Sequence, residues 1–261
     1  MLRDSLSERF RYEGGIGRFD WFAVLAAYFD ESGDDRSDRI AVAVALAHEE
    51  NWRQFEALWR VALDLANVTD YHAHINNNAH HALNRAMPVL VKECRILLSC
   101  TTVSRSDYMR VTNASDRSQL GNEYGFAGFV AISLMADVLR KYNQGDAGYY
   151  IDQGGKGFGK MIEILSYWYQ RDRADFMMAT YGPADRRLHM PLHPADLVAH
   201  EVITNREKSE CLPLFGEHLA IQDLSTQQLR EIFAQHRVIW AHLKREKQRL
   251  KNAAKRKRRG R

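Results

Sequence analysis

Two apolar runs open the readable part of the chain, Phe22 to Phe29 and Arg39 to Leu46, separated by a charged stretch from Asp30 to Asp38 that contains Gly33. Runs of this length bounded by turn-forming residues predict a β-hairpin, and the Val/Ala-rich arms predict a central place in a sheet. After Glu49 and Glu50, the residues Trp52, Phe55, Trp59, Ala62 and Ala66 recur at helical spacing, which predicts a helix with an acidic first turn packed on that sheet. A His-rich piece, Tyr71 to His81, precedes an apolar run through Met87, Leu90, Val91 and Cys94, where Pro88 predicts a helix start or a kink. Further on, Arg95 to Ser104 predicts a strand, and Phe126, Phe129, Val130, Ser133, Leu134, Asp137 and Val138 predict a long, largely buried helix. Ala147 to Ile151 predicts a short strand ending at Asp152, followed by an amphipathic helix through Phe158, Met161, Ile162, Leu165, Trp168 and Tyr169. A strand over Ala174 to Thr180 and a helix opened by His193-Pro194 complete the pattern. This order predicts an α/β protein, a mixed sheet flanked by helices.

The first twenty residues lack clear periodicity and read as an extension, which leaves one principal domain over 21–243 and a basic tail over 244–261. Between Lys244 and Arg261, eleven Lys or Arg stand against the single acid Glu246, so the tail carries +10 and the rest of the chain −6 of the net +4. A block of this kind can neutralise several phosphates at once, which makes RNA or DNA a candidate partner; simple solubilisation explains the charge equally well. No apolar run approaches the roughly 20 residues of a spanning helix, so no membrane partner is expected. Acidic residues before Trp21 to Phe29 (Asp4, Glu8, Glu13, Asp20) argue against a secretory signal. Cys94, Cys100 and Cys211 form no Cys-x-x-Cys pair, so buried thiols in a reducing, cytoplasmic setting are expected.

Three carboxylates are predicted at element termini: Asp30 at the end of the first strand, Asp152 at the end of a later one and Asp196 in a helix's first turn. Element termini around a sheet are where sites are assembled. Magnesium and manganese want hard oxygen ligands, so converging aspartates without thiolates suit either ion. Each residue also fits a plain structural role. Asp30 and Asp34 suit a turn, Asp152 a strand end, and Asp196 the positive end of a helix dipole.

The stretch Tyr28-Phe29-Asp30-Glu31-Ser32-Gly33-Asp34, the apolar run Ala41 to Ala47, Asp70-Tyr71-His72-Ala73, Tyr149-Tyr150-Ile151-Asp152 and Leu192-His193-Pro194-Ala195-Asp196-Leu197-Val198-Ala199 follow one another in order. Together they resemble the successive motifs of a bacterial and phage family, domain of unknown function number 3800, over about Val24 to Arg206. Asp70 stands where that family often has Glu, and His193 where Gln is usual. The resemblance implies a ribonuclease-H-like fold and a divalent-metal centre, with Asp30, Asp152 and Asp196 as ligands and Glu31 as an added ligand or hydrogen-bond acceptor beside them. It also implies that His72, paired with Asp70, orients water or shuttles protons. His200, four residues after Asp196 and so on the same helix face, is a candidate for the site's margin. The expected activity is a magnesium- or manganese-dependent phosphodiesterase, a nuclease acting on RNA or DNA in phage defence or mobile-element biology.

Three other readings compete. Gly154-Gly155-Lys156-Gly157-Phe158-Gly159-Lys160 satisfies Gly-x-x-x-x-Gly-Lys between a strand and a helix, but Met161 stands where a phosphate loop needs Ser or Thr to reach magnesium. A loop that contacts substrate phosphate through Lys156 and Lys160 is the better expectation. Eleven histidines invite a zinc hydrolase, yet His200-Glu201 lacks the second His of a zincin helix. The same fold could also serve as a non-catalytic nucleic-acid-binding module.

Overall fold

A computed structural model of the protein describes residues 25–33, 37–204, 206–235 and 237. The expected extension over 1–20, Asp34 and the basic tail therefore lie outside the described residues. Six strands form one mixed sheet: β1 (Leu25–Ser32), β2 (Arg39–His48), β3 (Leu97–Ser104), β4 (Ala147–Asp152), β5 (Met178–Ala184) and β6 (Leu219–Leu224), in the order β5-β4-β1-β2-β3-β6. β1, β2 and β3 make an antiparallel meander, β4 joins β1 and β5 joins β4 in parallel, and β6 runs parallel to β3. The helices are α1 (Glu49–Leu65), α2 (Asn78–Glu93), α3 (Arg105–Val111), α4 (Ala114–Leu120), α5 (Glu123–Lys141), α6 (Phe158–Asp172), α7 (His193–Thr204) and α8 (Leu212–Phe215). Residues 226–235 are also helical. No helix among the described residues is long and apolar enough to cross a membrane.

β2 lies at the centre, buried from Ile40 to His48, and its two faces differ in size. Ile40, Val42, Val44 and Leu46 face one core, which they share with Phe29, Tyr149 and the apolar sides of α5 and α6. Ala41, Ala43, Ala45 and Ala47 face the other, packed with Trp52, Phe55 and Trp59 of α1 and with Ala195, Val198 and Ala199 of α7. Methyl groups on both sides let α7 sit close over β1 and β2. That approach brings the first turn of α7, and Asp196 with it, down to the sheet.

Several expectations change. β1 does not stop at Asp30: Asp30, Glu31 and Ser32 pair with Ala43, Val42 and Ala41, because β2 continues to offer ladder partners there. The strand expected over Ala174 to Thr180 begins only at Met178, since residues 173–177 form a turn with Met177 in the left-handed region at φ 48°. Pro88 does not start a helix but lies inside α2, which begins ten residues earlier, where the Asn77 side chain accepts the His80 N–H at 2.9 Å. The three cysteines are buried free thiols, as expected.

Candidate functional site

Side chains alternate across a strand, so Tyr28 and Asp30 of β1 share the face covered by α7. On β4 the same face carries Tyr150, which pairs with Tyr28 in parallel register and stacks on it at 5.2 Å between ring centroids. Two residues further along each strand, that register sets Asp152 beside Asp30. Asp196 descends from α7 over the same strands, and the three aspartates are 3%, 3% and 9% exposed. They face a cleft of about 780 Å³ whose lining also includes Glu31, His72, Lys156, Arg186 and His200.

Asp30 Oδ1 accepts the Glu31 N–H at 2.7 Å, whereas Oδ2 is buried without a hydrogen-bond partner among the described residues. Asp196 Oδ2 accepts the Ala73 N–H at 3.0 Å, which ties the segment before α2 to α7 across the cleft. Arg186, in the loop after β5, reaches both carboxylates: its Nη1 stands 3.9 Å from Asp30 Oδ2 and 3.7 Å from Asp196 Oδ2. Burial pushes the Asp30 carboxyl well above the usual range, and the neighbouring Asp196, Asp152 and Glu31 push it further, against Arg186. Asp152 is raised too, by burial, while Arg186 and the backbone N–H groups of Gly154 and Arg186 hold it down. These carboxyls thus share one electrostatic environment that strains for positive charge.

Among the described residues, no three His, Cys, Asp or Glu side chains stand close enough together to form a finished ligand shell. The fit to a hard cation rests instead on the donor set. Among the described residues the buried oxygens Asp30 Oδ2 and Glu31 Oε2 have no hydrogen-bond partner, and Glu31 adds to the cost of charge on Asp30, a donor set that a hard divalent cation would satisfy.

Glu31 is the point where strand and glycine loop meet. Its Oε1 accepts the Gly157 N–H at 2.6 Å, and a Cβ placed on Gly155 would stand 2.2 Å from the same oxygen. A carboxylate therefore occupies the loop that would otherwise cradle a phosphate, which argues against the nucleotide-hydrolase reading. Gly155→Ala is expected to evict the Glu31 side chain. A crystal structure of the variant checks this by the loss of the Glu31–Gly157 hydrogen bond.

Burial also lifts the Glu31 carboxyl to about 7. Because the folded protein holds this proton more tightly than the unfolded chain, stability is full below pH about 4.5 and falls as pH rises towards 7. The loss attributable to Glu31 is on the order of 2–3 kcal/mol. Glu31→Gln is expected to flatten that fall, measured by urea unfolding at pH 5 and pH 8 in chelator.

His72 faces the cleft, but its expected partner changes: Nδ1 lies 3.7 Å from Asp196 Oδ2, so Asp196 takes the place given to Asp70. Burial first, and then Arg186, hold its imidazole below the ordinary value, so it is neutral near pH 7. His200 lines the same cleft and is likewise lowered by burial. Lys156 also faces it; Lys160 does not. On α6 the buried positions are Met161, Ile164 and Leu165, which turns Lys160 to a separate hollow near α4, where its Nζ pairs with Glu163 at 2.7 Å. Substrate contact by Lys160 is thereby withdrawn.

His193 proves to be a buried structural link. Trp59 Nε1–H donates to its Nδ1 at 2.7 Å, which fixes the proton on Nε2, and Nε2–H donates to the Arg186 carbonyl at 3.2 Å. Burial pushes this imidazole down to about 3, so it stays neutral. Neither this relay nor the place of Arg186 is legible in the sequence. A cation in the Asp185-Arg186-Arg187 turn carries no periodic or motif signal that distinguishes it from its neighbour. A scan against protein-family models finds no match and a search of the curated proteins finds no significant relative, so the chemistry of this cleft is read from its own geometry.

Proposed function

We propose that the protein is a divalent-metal-dependent phosphodiesterase, a nuclease, on a ribonuclease-H-like scaffold akin to the family its motifs resemble. The observation that carries the reading is the convergence of Asp30, Asp152 and Asp196, from two adjacent strands and one helix, on a single cleft. The strand order supports it: an antiparallel β1-β2-β3 meander extended on the β1 side by parallel β4 and β5 puts the first and second aspartates on neighbouring strands.

In this reading Asp30, Asp152 and Asp196 hold magnesium or manganese, with Glu31 beside them. When bound, the ion supplies positive charge against the reacting phosphodiester and favours ionisation of the attacking water. Held neutral, His72 can take a proton or pass one through Nδ1, the atom beside Asp196 that has no hydrogen-bond partner among the described residues. Lys156 lies in the cleft to meet the phosphate backbone. Outside the described residues, the +10 charge of the tail supplies sequence-independent affinity for RNA or DNA. Removing 244–261 is expected to weaken binding evenly across sequences and to flatten its salt dependence, as read by fluorescence anisotropy at several salt concentrations. The buried free thiols support a reducing cytoplasmic location.

The test is cleavage of labelled single- and double-stranded RNA and DNA by the full chain with magnesium or manganese. The reading expects cleavage that chelator and Asp152→Asn both abolish. Binding without cleavage, unchanged by that substitution, would instead assign a non-catalytic module.

A further inference from the structure

Arg186 touches all three aspartates of the cleft. Its side chain bridges Asp30 and Asp196 at 3.9 and 3.7 Å, and its backbone N–H donates to the Asp152 carboxylate. The Arg186 side chain is only 20% exposed and lines the cleft, so its charge is largely withdrawn from solvent. Both contacts are ion-pair distances beyond hydrogen-bond range, without the forked two-point geometry that makes an Arg–carboxylate pair strong. The residue is nevertheless held in register: its carbonyl accepts from His193 Nε2–H, and His193 is fixed by Trp59. A rigid backbone thus presents a loosely engaged cation to the carboxylates a metal would use.

We propose that Arg186 is a built-in counter-cation that competes with the divalent ion for Asp30 and Asp196, and so sets the metal affinity of the cleft. The inference rests on the metal-centre reading above and adds a residue to it. Without metal, the guanidinium offsets part of the repulsion among buried carboxylates, which would otherwise destabilise the fold. A divalent ion held by the same oxygens would bring twice the charge into closer contact than the guanidinium makes, so the Arg186 side chain would give way while its pinned backbone stays. Metal binding therefore includes the cost of breaking the Arg186 contacts. Arg186 acts on the metal through its ligands, so it is a positioning residue here.

The test is calorimetric titration of the full-length protein with manganese chloride at neutral pH, for wild type, Arg186→Ala, Arg186→Gln, Arg186→Lys and Asp30→Asn. Loss of the charge is expected to tighten manganese binding about tenfold or more, in Ala and Gln alike, whereas Lys stays within about threefold of wild type. A merely structural role for Arg186 predicts weaker binding in both neutral variants, and the Gln variant covers the case in which Ala fails to fold. Wild-type binding that Asp30→Asn abolishes but Arg186→Ala and Arg186→Gln leave equal or weaker would overturn the competition and leave the metal centre standing. Absence of manganese binding in every protein would overturn both.

Discussion

Asp30→Asn is expected to raise the thermal stability of the metal-free protein while reducing metal-dependent cleavage about 10³-fold or more. The first effect follows from burial. Asp30 is 3% exposed, one of its oxygens lacks a hydrogen-bond partner among the described residues, and three further carboxylates raise the cost of its charge. An amide keeps an oxygen to accept the Glu31 N–H and removes the charge, for a gain of about 1–2 kcal/mol after the lost attraction to Arg186 is discounted. For a domain of this size that corresponds to roughly 2–8 °C in melting temperature. The second effect follows from chemistry, because a neutral amide is a poor ligand for a hard cation and each tenfold loss of rate is about 1.4 kcal/mol of barrier. Melting in chelator and cleavage with manganese measure the two arms. A variant that melts lower and still cleaves would deny Asp30 both roles.

Trp59→Ala is expected to be the most damaging single change to the fold. Trp59 is fully buried, lies 6.0 Å from Phe55 and 5.2 Å from Tyr71 between ring centroids, and donates to His193. Truncation leaves a cavity at the junction of α1 and α7 and costs about 3–5 kcal/mol. It also strips the donor from His193 Nδ1, a buried acceptor whose loss alone costs about 1–3 kcal/mol. Trp59→Phe separates the two effects: it keeps most of the volume, loses the N–H, and is expected to cost only the smaller amount. Urea midpoints at unchanged slope give both values. Equal stability in the Phe variant would mean that the indole fills space without orienting His193 or the Arg186 backbone behind it.

Legibility in the sequence followed the strength of the local signal. The hairpin, the α1 stripe of Trp52, Phe55 and Trp59, and α6 were readable because burial imposes their periods directly. Asp30, Asp152 and Asp196 were readable as candidates because they punctuate apolar elements, though Asp30 sits inside its strand. The short elements α3, α4 and β6 were not, since six or seven residues hold too few periods to outweigh loop chemistry. Lys160 misled because a glycine-lysine string is a local pattern, whereas its direction is set by Met161, Ile164 and Leu165 of α6. Arg186 and the Trp59–His193 link were hidden for a related reason: their roles exist only where segments more than a hundred residues apart meet. The Glu31–Gly157 contact, between the first strand and the glycine loop, belongs with them.

A crystal structure of the protein soaked in manganese, with the ion located by its anomalous scattering, tests the central claim most directly. The expected result is manganese with carboxylate oxygens of Asp30, Asp152 and Asp196 at about 2.0–2.6 Å and the Arg186 guanidinium moved off Asp30. Manganese bound elsewhere, with Arg186 still bridging Asp30 and Asp196, would contradict it.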